Sequence, residues 1–222
     1  FNRFVWNTRY PNATESPVVM WGASTTGPKA VPGVYTVKMK LGDSVIAKEQ
    51  FSIIPSVAVL QKDLDEQFEL HQQINKKVTE THDAVNNMRD IKSQIGTVLG
   101  KITDNIKDTL ATKEIRALAK AIEDTLTNIE EELVQTKAKA GQDLLNFPMK
   151  LNNKLAALAS TVASADAKPT QQTYKAVQTI TARIDKQLMR WRTIETDSVA
   201  KFNTLANTFT IPAVAIKKKD KK

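Results

Sequence analysis

Apolar positions recur every three or four residues through most of the chain, beginning near residue 61. Across residues 61–102 this spacing places them on one stripe of a helix, opposite a charged face. The stripe consists of Leu64, Phe68, His71, Ile74, Val78, Val85, Met88, Ile91, Ile95, Val98 and Ile102. At 1.5 Å per residue such a helix is about 60 Å long. A helix of this length needs partners of similar length to stay folded in water.

Three further stripes supply these partners. Helix two is predicted over residues 115–133, helix three over 149–163, and helix four over 174–209, ended by Pro212. A turn is expected after helix one, near residues 103–112. Helices two and three together match the length of helix one or helix four. The sequence therefore predicts an antiparallel bundle, either of three rods with helices two and three end to end or of four helices.

The residues before Pro55 follow a different pattern. They hold five of the eight prolines and four of the seven glycines. Four strands are expected here, over residues 3–10, 18–21, 33–40 and 45–54, and the last two form a hairpin. The alternation in residues 33–40 is that of a half-buried strand. Four strands are fewer than the roughly seven of an immunoglobulin-like sandwich.

These patterns predict an α+β, mostly α, chain in three parts. Residues 1–55 form a partial immunoglobulin- or fibronectin-like β-sandwich remnant, 56–212 the antiparallel bundle of three to four long helices, and 213–222 a basic disordered tail. Because Phe1 already falls within a predicted strand, we expect the missing strands upstream and the chain to be a piece of a longer protein.

Charge is concentrated at the end of the chain. The net charge is +8, and residues 217–222 hold five lysines and one aspartate. We interpret this tail as solvated; the alternative is an electrostatic tether to nucleic acid or anionic lipid. The body of the chain does not support nucleic-acid binding, and membrane contact is expected only through the lysine tail. The absence of cysteine excludes disulfides and thiolate chemistry.

No arrangement of side chains predicts catalysis, a metal or another cofactor. His71 and His82 lie on one helix without the Glu-x-x-His pairs of a bundle metal site, and we interpret them as structural. The acidic run at residues 130–132 is interpreted as a solvated helix face. Trp191 is expected in the bundle core, flanked by two arginines.

Residues 131–158 depart from simple propensity rules. They place apolar side chains within a break and an asparagine pair inside a helix. We interpret the segment as a buried corner whose amides cap neighbouring backbone, with a binding groove as the alternative. The candidate interaction or structural residues are Gln142, Asp143, Asn146, Phe147, Asn152 and Asn153.

This segment resembles the C-terminal region of bacterial sortilin-like, BNR-repeat β-propeller proteins, often labelled glycosyl hydrolases. The resemblance continues in residues 2–11, NRFVWNTRYP, in residues 21–39, WGASTTGPKAVPGVYTVKM, and in residues 80–92. It covers the chain to about Pro212. It implies a large secreted protein with a propeller, then a small β-sandwich, then this helical domain. No Asp-box repeat or catalytic residue of the propeller is carried over to this chain.

We therefore expect a non-catalytic C-terminal interaction or scaffolding module of a secreted sortilin-like propeller protein. The alternative is an accessory region or processed subunit of a glycan-acting, sialidase-like glycoside hydrolase. The expected partners are the upstream β-propeller of the parent protein and a protein partner or second copy. The resemblance implies an extracytoplasmic location, whether periplasmic, cell-surface or secreted.

Overall fold

The computed structural model describes residues 3–55, 58–105, 110–209 and 214–216. It is mostly helical with one two-stranded antiparallel sheet, which confirms the predicted α+β, mostly α, class. In chain order the elements are β1 (Gly33–Leu41), β2 (Ser44–Ile53), α1 (Gln61–Asn105), α2 (Leu110–Leu133), α3 (Leu151–Val162), α4 (Gln171–Thr193) and α5 (Val199–Asn207). A 3-10 turn, Gly141–Leu145, lies between α2 and α3.

The long helix α1 carries the predicted stripe, and every member of it is buried except the half-buried Phe68. The helix continues through Gly96 and Gly100, so the predicted turn starts later than expected, and residues 106–109 lie outside the described residues. Because neither glycine faces a neighbouring side chain or backbone, α1 tolerates both on its exposed side.

Helices α2 and α3 lie end to end along α1. Glu130 of α2 contacts Arg89 of α1, whereas Asn152 of α3 contacts His82. Farther along, the carbonyl group at the end of α3 accepts a hydrogen bond from Gln67. Positions on α1 therefore fall as those on α2 and α3 rise, and both helices run antiparallel to α1. This selects the three-rod form of the bundle over the four-helix form.

The third rod consists of α4 and α5, joined without interruption by a π-helical turn, Ile194–Ser198. Ion pairs from Lys77 to Asp185 and from Glu80 to Arg192 show that it runs parallel to α1. Trp191 is buried, as expected. The rod ends at Asn207, and Pro212, which was expected to end it, lies outside the described residues.

The predicted hairpin forms, with a two-residue loop in which Gly42 has a φ of +59°. The prediction that its first strand is half-buried is wrong, because almost all side chains on both faces are exposed. Nothing in the described part of the chain forms a second sheet layer over it. The strands predicted over residues 3–10 and 18–21 are also wrong, since only an isolated bridge between Arg9 and Lys29 forms there.

Residues 8–30 instead form an extended loop, here called the clasp, which runs out along α1 and returns. Its two arms are joined by backbone hydrogen bonds of 2.7–2.9 Å, from Ala30 to Thr8, Tyr10 to Pro28 and Ala13 to Thr25. Ala13 is buried and belongs to the same hydrophobic core as the helices. The clasp therefore connects the hairpin to the bundle.

The two arms of the clasp approach most closely at Gly27, where a Cβ atom would overlap the carbonyl oxygens of Tyr10 and Pro11. We expect Gly27→Ala to lower the free energy of unfolding by about 1–3 kcal/mol, because backbone must move to accept the methyl group. The matched control is Gly96→Ala on α1, which should raise it by about 0.5–1 kcal/mol. Urea denaturation measures both, and equal changes would contradict this packing.

Candidate functional site

The helices hold the clasp largely through its backbone, and Asn153 of α3 gives the clearest case. Its side chain is 2% exposed and pairs with both main-chain groups of Trp21. The Trp21 N–H donates to Oδ1 at 2.8 Å, and Nδ2 donates to the Trp21 carbonyl at 2.9 Å. The amide therefore takes the place of a neighbouring strand and fixes the clasp at this residue.

His82 of α1 makes a second contact of this kind, with no exposed surface. Its Nδ1 lies 2.6 Å from the Thr14 carbonyl oxygen, and its Nε2 lies 3.2 Å from Nδ2 of Asn152. Because a carbonyl only accepts, we assign the ring proton to Nδ1, which leaves Nε2 to accept from the Asn152 amide. Burial lowers the pKa of His82, although the Thr14 backbone and the carboxylate of Asp83 oppose this effect.

His71, the other histidine, also lies on α1 beneath the clasp and is 7% exposed. Burial lowers its pKa, the backbone of Thr26 acts in the opposite direction, and the Arg9 guanidinium lowers it further. Arg9 itself is held on the clasp by a 2.9 Å hydrogen bond from Nη1 to the Gly27 carbonyl oxygen. His71 also lines a cleft between α1, the clasp and the base of the hairpin.

The remaining contacts come from a row on α1 with the periodicity of a helix face. This row, here called the polar stripe, consists of Asn75, Thr79, His82, Asn86 and Arg89. Asn75, Asn86 and Arg89 donate to clasp carbonyl groups at 3.4, 3.2 and 3.3 Å, and Thr79 accepts from a clasp N–H at 3.2 Å. The stripe therefore binds extended backbone along one side of the helix.

The sequence analysis missed the polar stripe, although its signal was present. Its members are separated by four, three, four and three residues, the same spacing that marks an apolar stripe. Arg89 had been assigned to the solvated face, but it is half-buried between the clasp and α2. A polar row at this spacing beside an apolar one indicates a surface that binds polar groups.

The acidic run of α2 is solvated only in part. Glu131 and Glu132 are exposed, but Glu130 is 4% exposed, so the solvated-face prediction is wrong for this residue. Its two carboxylate oxygens lie 2.6 Å from Nε of Arg89 and 2.6 Å from Nζ of Lys92. Burial acts to raise the pKa of Glu130, but the hydrogen bonds from Lys92 and Arg89 outweigh it and lower the pKa. Glu130 thereby orients Arg89 toward the clasp.

The candidate residues of the 131–158 corner separate into two groups. Asn152 and Asn153 are buried and contact His82 and the clasp. The connection between α2 and α3 holds the other four, Gln142, Asp143, Asn146 and Phe147. Gln142 is exposed and lines a shallow depression with Trp21. The structure thus brings Gln142 and Asn153 to the same tryptophan.

The other three residues of the connection do not join this contact. Asp143 accepts backbone hydrogen bonds from Lys139 at 2.7 Å and Ala140 at 2.9 Å, which lower its pKa. Asn146 is exposed and Phe147 is half-buried. Among the described residues, neither shares a hydrogen bond with the clasp. These three side chains therefore belong to the local structure of the connection.

The contacts of the site are those of binding and folding. No group of three or more acidic or histidine side chains in the described ranges could hold a metal ion. No helix within those ranges has the length and apolarity needed to cross a membrane. None of the protein-family models, curated proteins or solved structures compared with the chain matches it.

The contact between Asn153 and Trp21 predicts a specific loss of stability. Asn153→Ala should lower the free energy of unfolding by about 1–3 kcal/mol, because it removes two hydrogen bonds from a buried amide. It should also speed hydrogen exchange at the Trp21 amide. The matched control is Asn146→Ala at an exposed position, which should change stability by no more than about 0.5 kcal/mol. Similar losses in both variants would show that the clasp is not held at this residue.

Proposed function

We propose that the chain is a non-catalytic interaction or scaffolding module that presents the β1–β2 hairpin to a protein partner. The observation that carries the proposal is the exposure of apolar side chains on this hairpin. The exposed members are Val34, Val37, Met39, Leu41, Val45, Ile46 and Phe51. Exposed apolar patches of this kind mark interaction surfaces in soluble proteins.

One face of the hairpin has a covered base and an open tip. At the base, Trp6 packs on Tyr35 and Phe51, with ring centroids 5.7 and 6.1 Å apart. Toward the tip Met39 is 59% exposed, and it pairs with Ala47 across the strands. A two-stranded hairpin is marginally stable alone, and its edges carry unpaired backbone groups. A partner that supplies a sheet over this face would bury the apolar row.

The opposite face favours a partner with carboxylates. Lys38 lies directly across from Lys48, and Lys40 follows on the same side of the first strand. Like charges at opposed positions of a sheet destabilise it. Acidic side chains on the partner would remove this repulsion. The chemistry of both faces therefore supports a β-rich protein partner with acidic groups beside its apolar surface.

The finer parts of the proposal rest on the resemblance and on this exposure. The hairpin is a remnant of an immunoglobulin- or fibronectin-like sandwich within residues 1–55, followed by the bundle of 56–212. Its partner is the upstream β-propeller of a sortilin-like parent, or a second copy of the chain, in an extracytoplasmic compartment. The lysines of the proposed tail, 217–222, lie outside the described residues.

A second candidate is an accessory region or processed subunit of a glycan-acting glycoside hydrolase. The observation that favours it is Trp21, which is 42% exposed beside the free amide of Gln142. An exposed indole with a neighbouring amide offers a sugar ring an apolar face and a hydrogen-bonding group. Binding to a glycan panel that is lost in Trp21→Ala and kept in Met39→Ser would favour this candidate over the first.

Photo-crosslinking tests the first proposal. A photo-reactive amino acid at position 39 of the hairpin should crosslink to a β-sheet segment of one partner, several-fold more than the same group at exposed position 131 of α2. Met39→Asp should abolish the complex without a change in melting temperature, because the side chain buries little surface in the chain itself. Equal crosslinking at both positions, or glycan turnover by the purified chain, would contradict the proposal.

A further inference from the structure

Both histidines of the chain lie beneath the clasp and face its backbone. We propose that the clasp is an acid-released element: protonation of His71 and His82 frees residues 8–30 from the groove between α1 and α3 and uncouples the hairpin from the bundle. This inference concerns regulation and does not depend on the identity of any partner.

The geometry at His82 suits the neutral ring. Nδ1–H donates to the clasp at Thr14, and Nε2 accepts from the amide of Asn152 at 3.2 Å. Protonation places a second N–H opposite the amide N–H group, where it finds a donor in place of an acceptor. The imidazolium must also lie in a site without solvent exposure. Opening the clasp hydrates the charged ring.

The charged groups around His82 do not compensate for its burial. On α1, Asp83 favours the charged ring and Arg89 opposes it. The clasp contributes Glu15, which is exposed, whereas α3 presents the neutral amides of Asn152 and Asn153. Because Arg89 is itself paired with Glu130, its positive charge stays close to this site.

The surroundings of His71 are more cationic. The clasp places Arg9 and Lys29 on the same cleft, and the loop after α3 adds Asp166. Arg9 disfavours the charged ring. Arg9 and Lys29 are clasp residues, so movement of the clasp away from α1 separates both cations from a protonated His71. Release therefore lowers electrostatic repulsion as well as the cost of burial.

The clasp opens before the bundle because the two are held by different forces. Polar contacts to the helices hold the clasp, and Ala13 is its only side chain that is fully buried as an apolar core residue. The rods bury complete apolar stripes, which pH does not affect. Because β1 begins at Gly33, three residues after the clasp ends, the hairpin loses its fixed position when the clasp leaves.

The direction of the pH effect follows from linkage. Burial holds the pKa of both histidines below the ordinary value, so the open clasp binds protons more readily than the docked clasp. Docking is therefore most stable above about pH 6.5 and weakens as the pH falls through that value. Arg89 and Lys92 keep Glu130 charged throughout this range, since its pKa is lowered.

Hydrogen exchange of the intact chain tests the proposal. The clasp amides of Tyr10, Ala13 and Trp21 are hydrogen-bonded and should be protected near neutral pH. After correction for intrinsic exchange, their protection should fall between about pH 7.5 and about pH 5, by up to about thirtyfold for each histidine. Amides of α2 around Ile122 should keep theirs. Loss of protection at both places together would show global unfolding and overturn the proposal.

Glutamine variants provide the matched controls. His71→Gln and His82→Gln should each remove part of the pH dependence, and the double variant should remove nearly all of it, because an amide does not titrate here. If the variants do not fold, an NMR titration of the wild-type rings decides. Ring titration that coincides with loss of clasp protection supports the proposal; titration of both rings under a clasp that stays protected overturns it.

Discussion

Backbone that lies on a bundle outside regular structure must still satisfy its N–H and C=O groups, and this constraint shapes the molecule. The helices meet it with side-chain amides that pair with one peptide on both sides. Asn153 does so at Trp21, Asn203 at Val214, and Gln94 at Ala215. Each amide offers one donor and one acceptor, the complement of a peptide group. Two segments without helix or sheet partners are fixed to the bundle by this device.

The same constraint explains why a charge is buried in α2. Arg89 donates to the Pro17 carbonyl at 3.3 Å, and a buried carboxylate at Glu130 holds the guanidinium in place. Lys92 supplies a second cation, so the carboxylate is compensated on both oxygens. Breaking a buried pair of this type is strongly destabilising. The ion pairs thus connect α2, α1 and the clasp.

The sequence predicted what periodicity controls. Apolar residues at intervals of three and four identified all helices, and turn chemistry at Gly42 identified the hairpin. Burial of the hairpin was predicted wrongly, because alternation shows which face could be covered but does not show whether a cover is present. The clasp was missed for a different reason. Its contacts use main-chain groups, which are the same in every residue, so only the polar stripe of α1 carries a sequence signal for it.

Asn152 and Asn153 were singled out because an asparagine pair disfavours the interior of a helix, and the structure gives the physical reason for their presence. Adjacent residues on a helix point about 100° apart, so the two side chains face different neighbours. Asn153 contacts the clasp directly, whereas Asn152 contacts it through the ring of His82. One turn of α3 therefore holds two points of the clasp, one of which titrates near neutral pH. A stable amide contact beside a proton-sensitive one lets the clasp loosen at its Thr14 end while Trp21 keeps its partner.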